Sequence, residues 1–283
     1  MPNVDLIKKP HVSAFRKIAF GTWETTYDPS IYGGMRLRMD KAMDYIEQFK
    51  AKTGRKLTIT HLAIKATALA LKACPDANAI LRWNNIYLRQ SIDISVLVVM
   101  EDDGQIDLSA TKIESADEKS LISIIDEIAE QADKIRKKED QTLEQTRSTM
   151  RIMPSLLMNF LLKMIAFLTY SLNLNMTWAG LPKDPFGSAV VTSIGSLGLD
   201  VGYVPLVPYS RVPIFIAPGE VKDEAVVEEG QIVPGKTLNL SATFDHRVID
   251  GKHAAIMAKT FRSVFEDPFT HLDALDSIPS NPA

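Results

Sequence analysis

The sequence predicts a two-layer α/β fold, a mixed β-sheet flanked by helices, and three observations predict it. Apolar residues recur at helical spacing in four separate segments. Short apolar runs bounded by Gly, Pro and charge crowd the C-terminal half. One stretch, Lys236 to His246, alternates apolar and polar residues, so Leu238, Leu240, Ala242, Phe244 and His246 share one face of a strand and polar residues take the other.

Taken in order, Met39, Ala42, Met43, Ile46 and Phe49 form the inner stripe of a first helix, with Gly54 as its stop. "THLAIKATALALKACP" (60–75) is a second helix, apolar on most sides and so expected to be buried, ended by Pro75. "AILRWNNIYLR" (79–89) reads as a hairpin turning at Asn84-Asn85, and "DISVLVVM" (93–100) as a buried strand. A third helix is expected to start from a capping box of Ser115 and Glu118 and to bury Leu121, Ile124, Ile125, Ile128, Ala132 and Ile135. "SAVVTS" (188–193), "RVPIFIA" (211–217) and "EAVVEE" (224–229) read as short strands. A last helix follows Asp250, turns Ala254, Met257, Phe261, Val264 and Phe265 inward, and ends at Pro268.

At 283 residues, 46% hydrophobic and 24% charged, the chain is large enough for one well-buried domain, expected over 1–283. The net charge of −3 is small, and no basic block with interleaved aromatics supports a nucleic-acid partner. A single cysteine, Cys74, excludes an internal disulfide and a cysteine zinc cluster, and its apolar setting reads as a buried small hydrophobe. The first residues lack the apolar run of a secretory signal, so a cytoplasmic location is expected.

An apolar insert, 145–185, interrupts this pattern. From Ile152 to Pro182 the only charge is Lys163, and thirteen of the twenty residues from Ser155 to Leu174 are Leu, Ile, Met, Phe or Ala. That length is near the roughly 20 residues a membrane span needs. Lys163, Asn159, Asn173 and Asn175 make a span marginal. A helix buried in the domain or between subunits and a membrane-resting or re-entrant helix remain the other readings.

Chemistry concentrates in "DHRVIDG" (245–251). His246 is either a core histidine or a general base held rigidly at a strand end, where an imidazole with an ordinary pKa of about 6.5 suits proton transfer. Asp250 fits an N-cap for the helix starting at Gly251. A metal site pairing His246 with His253 lacks a third ligand at suitable spacing, so no metal is expected. Neither a G-x-S-x-G elbow, a P-loop nor a G-x-G-x-x-G loop is present.

"DHRVIDG", closing an alternating strand and opening a helix that runs to "FEDP" (265–268), resembles the C-terminal signature of the dihydrolipoamide acyltransferases of 2-oxo acid dehydrogenase complexes. Their wider superfamily includes chloramphenicol acetyltransferase. "VSAFRKIAF" (12–20), "KLTITHLAIKATALALKACPDANAIL" (56–81), "DISVLVV" (93–99) and "TSIG" (192–195) resemble further family segments, covering most of 10–270 outside the insert.

The resemblance implies a chloramphenicol-acetyltransferase-like fold and acyl transfer between coenzyme A and a thiol of dihydrolipoyl type. It makes His246 the base that deprotonates the thiol. Thr192 becomes the donor to the tetrahedral oxyanion, with Ser193 as fallback because it stands where the family usually has Asn. Asp250 becomes a structural partner of Arg16. It also implies a homotrimer with its sites at subunit interfaces. No lipoyl domain with its Asp-Lys-Ala turn is present, so the lipoyl group is expected on a separate chain. The polar end "HLDALDSIPSNPA" suggests an isolated trimer or another assembly contact.

One membrane crossing at 155–174 would put Arg16 and His246 on opposite sides of a bilayer, which one folded domain forbids. The insert is therefore expected to make an oligomer or membrane contact through Pro154–Trp178. Two other functions fit the residues: a catalytically idle scaffold relative, and coenzyme A-dependent transfer to a lipid or small-molecule acceptor.

Overall fold

The alternation ending at His246 forms the middle of the fold. The computed structural model describes residues 2–10, 29–102, 105–137 and 155–277. In it this segment belongs to the second arm of a long hairpin, β8 (Ile214–Glu228) and β9 (Gln231–Asp245). Around the hairpin the sheet runs β2–β9–β8–β7–β5–β6, with β2 at Ser30–Arg38, β5 at Ile94–Asp102, β6 at Gln105–Ile113 and β7 at Ala189–Val191. β7 pairs parallel with both β5 and β8 while the remaining neighbours are antiparallel, so the sheet is mixed as predicted. A smaller sheet ordered β1–β4–β3 joins Leu6–Lys8, Asn85–Arg89 and Ala79–Arg82.

Four helices share a core with the large sheet: α1 (Asp40–Thr53), α2 (Ile59–Ala73), α3 (Leu121–Arg136) and α5 (Gly251–Glu266). Leu37, Leu62, Ile64, Ile94, Ile216, Leu240, Phe261 and Phe265 all belong to it. α1 stops at Gly54, whose φ of 69° lets its N–H return to the Lys50 carbonyl. α2 begins at a reciprocal box of Thr58 and His61, and burial pushes the His61 imidazole down to about 4. It is buried on most sides, as its composition predicts, and includes Lys65, whose ammonium donates to the carbonyls of Asp117 (2.9 Å) and Lys119 (2.6 Å). Cys74 is buried, and desolvation raises its thiol pKa.

Several expectations need correction. The hairpin turns at Trp83-Asn84, both left-handed (φ 51° and 55°), one residue earlier than the sequence suggests. α3 is capped by Ser120, whose hydroxyl accepts from Ser123 N–H, and not by Ser115. Ser115 sits in a left-handed turn whose N–H donates to Asp93, because the chain must first leave β6. "RVPIFIA" and "EAVVEE" belong to one strand: a bulge between Pro218 and Val221 absorbs the missing Pro N–H. Gly219 serves close packing there, since a Cβ would lie 2.1 Å from the Asp200 carbonyl oxygen. The polar face of β9 is covered too, with Thr237, Ser241 and Thr243 buried.

The insert forms α4 (Ser155–Ala166) and a π-helical turn, Phe167–Ser171. Residues 145–154 of it lie outside the described residues. Ala166 and Tyr170 bury against Val4 and Ile80. The Tyr170 hydroxyl donates to Asp184, which forms a buried ion pair with Arg89. Opposite them Leu157, Phe160, Met164 and Phe167 are exposed, so the helix is not fully buried within its own domain. Among the described residues no helix is long and apolar enough to cross a membrane.

Candidate active site

The turn after β9 is built from its own sequence. The His246 N–H continues the β2 ladder by donating to the Pro29 carbonyl at 2.8 Å. The chain then folds back: the N–H groups of Val248 and Ile249 donate to the Asp245 carbonyl at 3.0 and 2.9 Å. Buried Val248 and Ile249 anchor this turn in the core. The Asp245 carboxylate takes the Arg247 guanidinium at 2.7 Å and the Arg247 N–H at 2.9 Å. Asp250 then caps α5, its Oδ1 accepting from Lys252 and His253 N–H at 3.0 and 3.2 Å.

That turn places the Ile249 carbonyl 2.8 Å from His246 Nδ1. A carbonyl only accepts, so Nδ1 carries a proton and donates it. In the neutral ring the lone pair therefore lies on Nε2, the tautomer a general base needs. The half-buried histidine is held through both its backbone and its ring.

Asp250 is the N-cap its spacing predicts. Arg16, its expected partner, lies outside the described residues, as does the "VSAFRKIAF" segment. His253 completes the capping box by accepting the Asp250 N–H on Nδ1 at 3.3 Å. Among the described residues no group of three His, Cys, Asp or Glu is arranged to hold a metal ion.

Thr192 follows β7, and its N–H donates to the Ile216 carbonyl at 2.9 Å. Ser193 accepts the Ser196 hydroxyl on its carbonyl at 2.8 Å. Gly195 fixes this loop against β8, where a Cβ would lie 2.3 Å from the Gly219 carbonyl oxygen. The chain does not bring Thr192 to His246. Val191 lies level with Ile216 and Ala242, which puts Thr192 level with Ser241. Asp245 stands four residues farther along the antiparallel β9, roughly 14 Å at 3.4 Å per residue. His246 follows it, two strands across the sheet from Thr192.

A cleft of about 260 Å³ adjoins the turn, between the start of β2, Leu81 and the 205–212 loop. Its walls include Asp245 and Arg247, the neighbours of His246, but not the histidine itself. Arg211 also lines it, in a left-handed conformation (φ 57°). Burial, and then the nearby Arg247 guanidinium, lower the Arg211 pKa. Sequence reasoning missed the Asp245–Arg247 pair and the Ile249 carbonyl. The Asp-x-Arg spacing signals the first; no side-chain pattern signals a backbone acceptor.

The family model for the 2-oxoacid dehydrogenases acyltransferase (catalytic domain) matches residues 12–153 and 186–272, leaving out residues 154–185 of the insert. The dihydrolipoyllysine-residue acetyltransferase component of the acetoin cleaving system of Bacillus subtilis is 26% identical over 76% of this chain and 43% of its own length. The mitochondrial dihydrolipoyllysine-residue succinyltransferase component of the 2-oxoglutarate dehydrogenase complex of Saccharomyces cerevisiae is 25% identical over 83% of this chain and 41% of its own. The chain thus spans less than half the length of these relatives. The dihydrolipoamide acetyltransferase of Azotobacter vinelandii, studied for the catalytic roles of a serine, a histidine and an asparagine, superposes with TM-score 0.63. That likeness covers 94% of this chain and 93% of that one at 22% identity, and it shows a shared fold. By its sequence match and its fold, the chain belongs to the family of 2-oxoacid dehydrogenase acyltransferase catalytic domains.

Proposed function

We propose that this domain transfers an acyl group between coenzyme A and a thiol of dihydrolipoyl type, with His246 as general base. The observation that carries the reading is the 2.8 Å bond between His246 Nδ1 and the Ile249 carbonyl, which leaves the ring its lone pair on Nε2. A thiol with an ordinary pKa of about 8.5 is mostly protonated at neutral pH. Nε2 takes its proton as the sulfur attacks the thioester carbonyl carbon. The Thr192 hydroxyl donates to the oxyanion of the tetrahedral intermediate, with Ser193 as the fallback donor. Collapse breaks the original carbon–sulfur bond, and the departing thiolate recovers the proton from the imidazolium.

Thr192 and His246 lie too far apart to act on one carbonyl within a chain. The reading therefore needs a trimer, in which Thr192 of one copy faces His246 of the next. Asp250, with Arg16, organises the turn and moves no proton. The dihydrolipoyl thiol enters as a substrate, and the insert adds a surface for a membrane or further copies. The alternatives are an idle scaffold relative and transfer to a lipid or small-molecule acceptor. Assay of the parent with dihydrolipoamide separates them from the main reading, and His246→Ala tests the base. Turnover of acyl-coenzyme A with free dihydrolipoamide should fall by about 10²–10⁴ while the mass by light scattering stays that of the parent. Unchanged turnover overturns the role of His246, and no turnover by the parent with any acyl donor favours the scaffold.

A further inference from the structure

We infer that the outer face of the insert docks this domain onto a phospholipid surface, lying on the bilayer without crossing it. This goes beyond acyl transfer and does not depend on it.

Leu157, Phe160, Met164 and Phe167 follow one another at spacings of three, four and three, so they share one stripe along α4 and into the turn after it. Their exposures are 49%, 69%, 42% and 45%, while Ala166 and Tyr170 hold the opposite side in the core. Trp83 extends the stripe from the β3–β4 turn, its ring edge-on to Phe167 with centroids 5.9 Å apart. The indole is 58% exposed, yet its N–H already donates to the Ser171 carbonyl at 2.9 Å. The ring can therefore enter an apolar phase with no donor left unsatisfied. Trp83 is displayed there from a left-handed backbone conformation that disfavours a large side chain. Contiguous apolar faces of this kind mark contact surfaces.

Charge and length identify the occupant. From Ile152 to Pro182 the segment carries no acidic residue and one cation, Lys163, exposed at the flank of the stripe. Pairing two such faces would bring two lysines into an apolar contact to which neither segment brings an acid. At a bilayer the lysine instead reaches up to the lipid phosphates while its stem stays apolar. α4 has twelve residues, about 18 Å at 1.5 Å per residue, against a hydrocarbon core of about 30 Å, so it lies flat. Residues 154–185, which hold the whole stripe of the insert, also fall outside the residues shared with the family, 12–153 and 186–272.

The test is flotation of the full chain with vesicles of phosphatidylcholine and phosphatidylglycerol. The parent should float. The double variant Phe160→Ser, Phe167→Ser should lose at least tenfold in partitioning, with unchanged mass by light scattering and unchanged Tm. Lys163→Glu should weaken binding to these vesicles more than to pure phosphatidylcholine. A parent that stays with the soluble fraction overturns the proposal. So does a double variant that drops to a smaller oligomer, because the face would then be a contact between copies.

Discussion

The turn that carries His246 and the insert that carries Phe160 solve the same problem in opposite ways. Both are short segments attached to a sheet, and both contain large apolar residues. In the turn, Val248 and Ile249 go inward and nearby polar groups are consumed locally, Asp245 by Arg247 and Asp250 by the first N–H groups of α5. The product is one fixed histidine ring. In the insert, the anchors sit at one end, at Tyr170, Ser171 and Asp184, and the apolar stripe of α4 faces outward. A hydrophobic residue is thus no guide to burial by itself; the number of surfaces available to cover it decides.

That contrast can be broken by substitution. Phe265→Ala, in the helix that Asp250 starts, removes a ring with no exposed surface. It should cost about 3–5 kcal/mol by urea unfolding, whereas the Phe160 and Phe167 exchanges leave Tm in place. A loss under about 1 kcal/mol at Phe265 would erase the distinction between the two regions.

A pH titration probes the buried side next. His61 has its folded pKa pushed down to about 4 by burial, against about 6.5 when unfolded. The folded state therefore favours the neutral ring, and its contribution is complete above pH 6.5. Stability falls as the pH drops from there towards 4, because the unfolded chain takes up the proton first. Between pH 7 and 4.5 the parent should lose about 2–3 kcal/mol more than His61→Gln. Equal losses in the two proteins would remove His61 as the cause.

The smallest effect belongs to the cap. Asp250→Ala should cost about 1–2 kcal/mol in unfolding free energy, and Asp250→Asn far less, since Asn caps almost as well. If Asn proves as damaging as Ala, the charge of Asp250 matters more than its bond to the helix.

By itself the sequence determined the elements whose signal is local. The stripes of α1, α3 and α5, the alternation of β9, the stop at Gly54 and the cap at Asp250 depend on contacts within a few residues, so composition and spacing carry them. Tertiary structure decided the rest. Pro218 and Gly219 look like a strand end, yet the strand continues through a bulge because the Asp200 loop needs the room a glycine leaves. The polar face of β9 alternates as a solvated face would and is buried, with Gly202, from a loop distant in sequence, donating its N–H to the Ser241 hydroxyl. The ring orientation of His246 depends on a backbone carbonyl that has no side-chain signature. The separation of Thr192 from His246 follows from strand order, which local periodicity does not encode. Short-range bonds are written into neighbouring residues, whereas packing between distant segments exists only once the chain has folded.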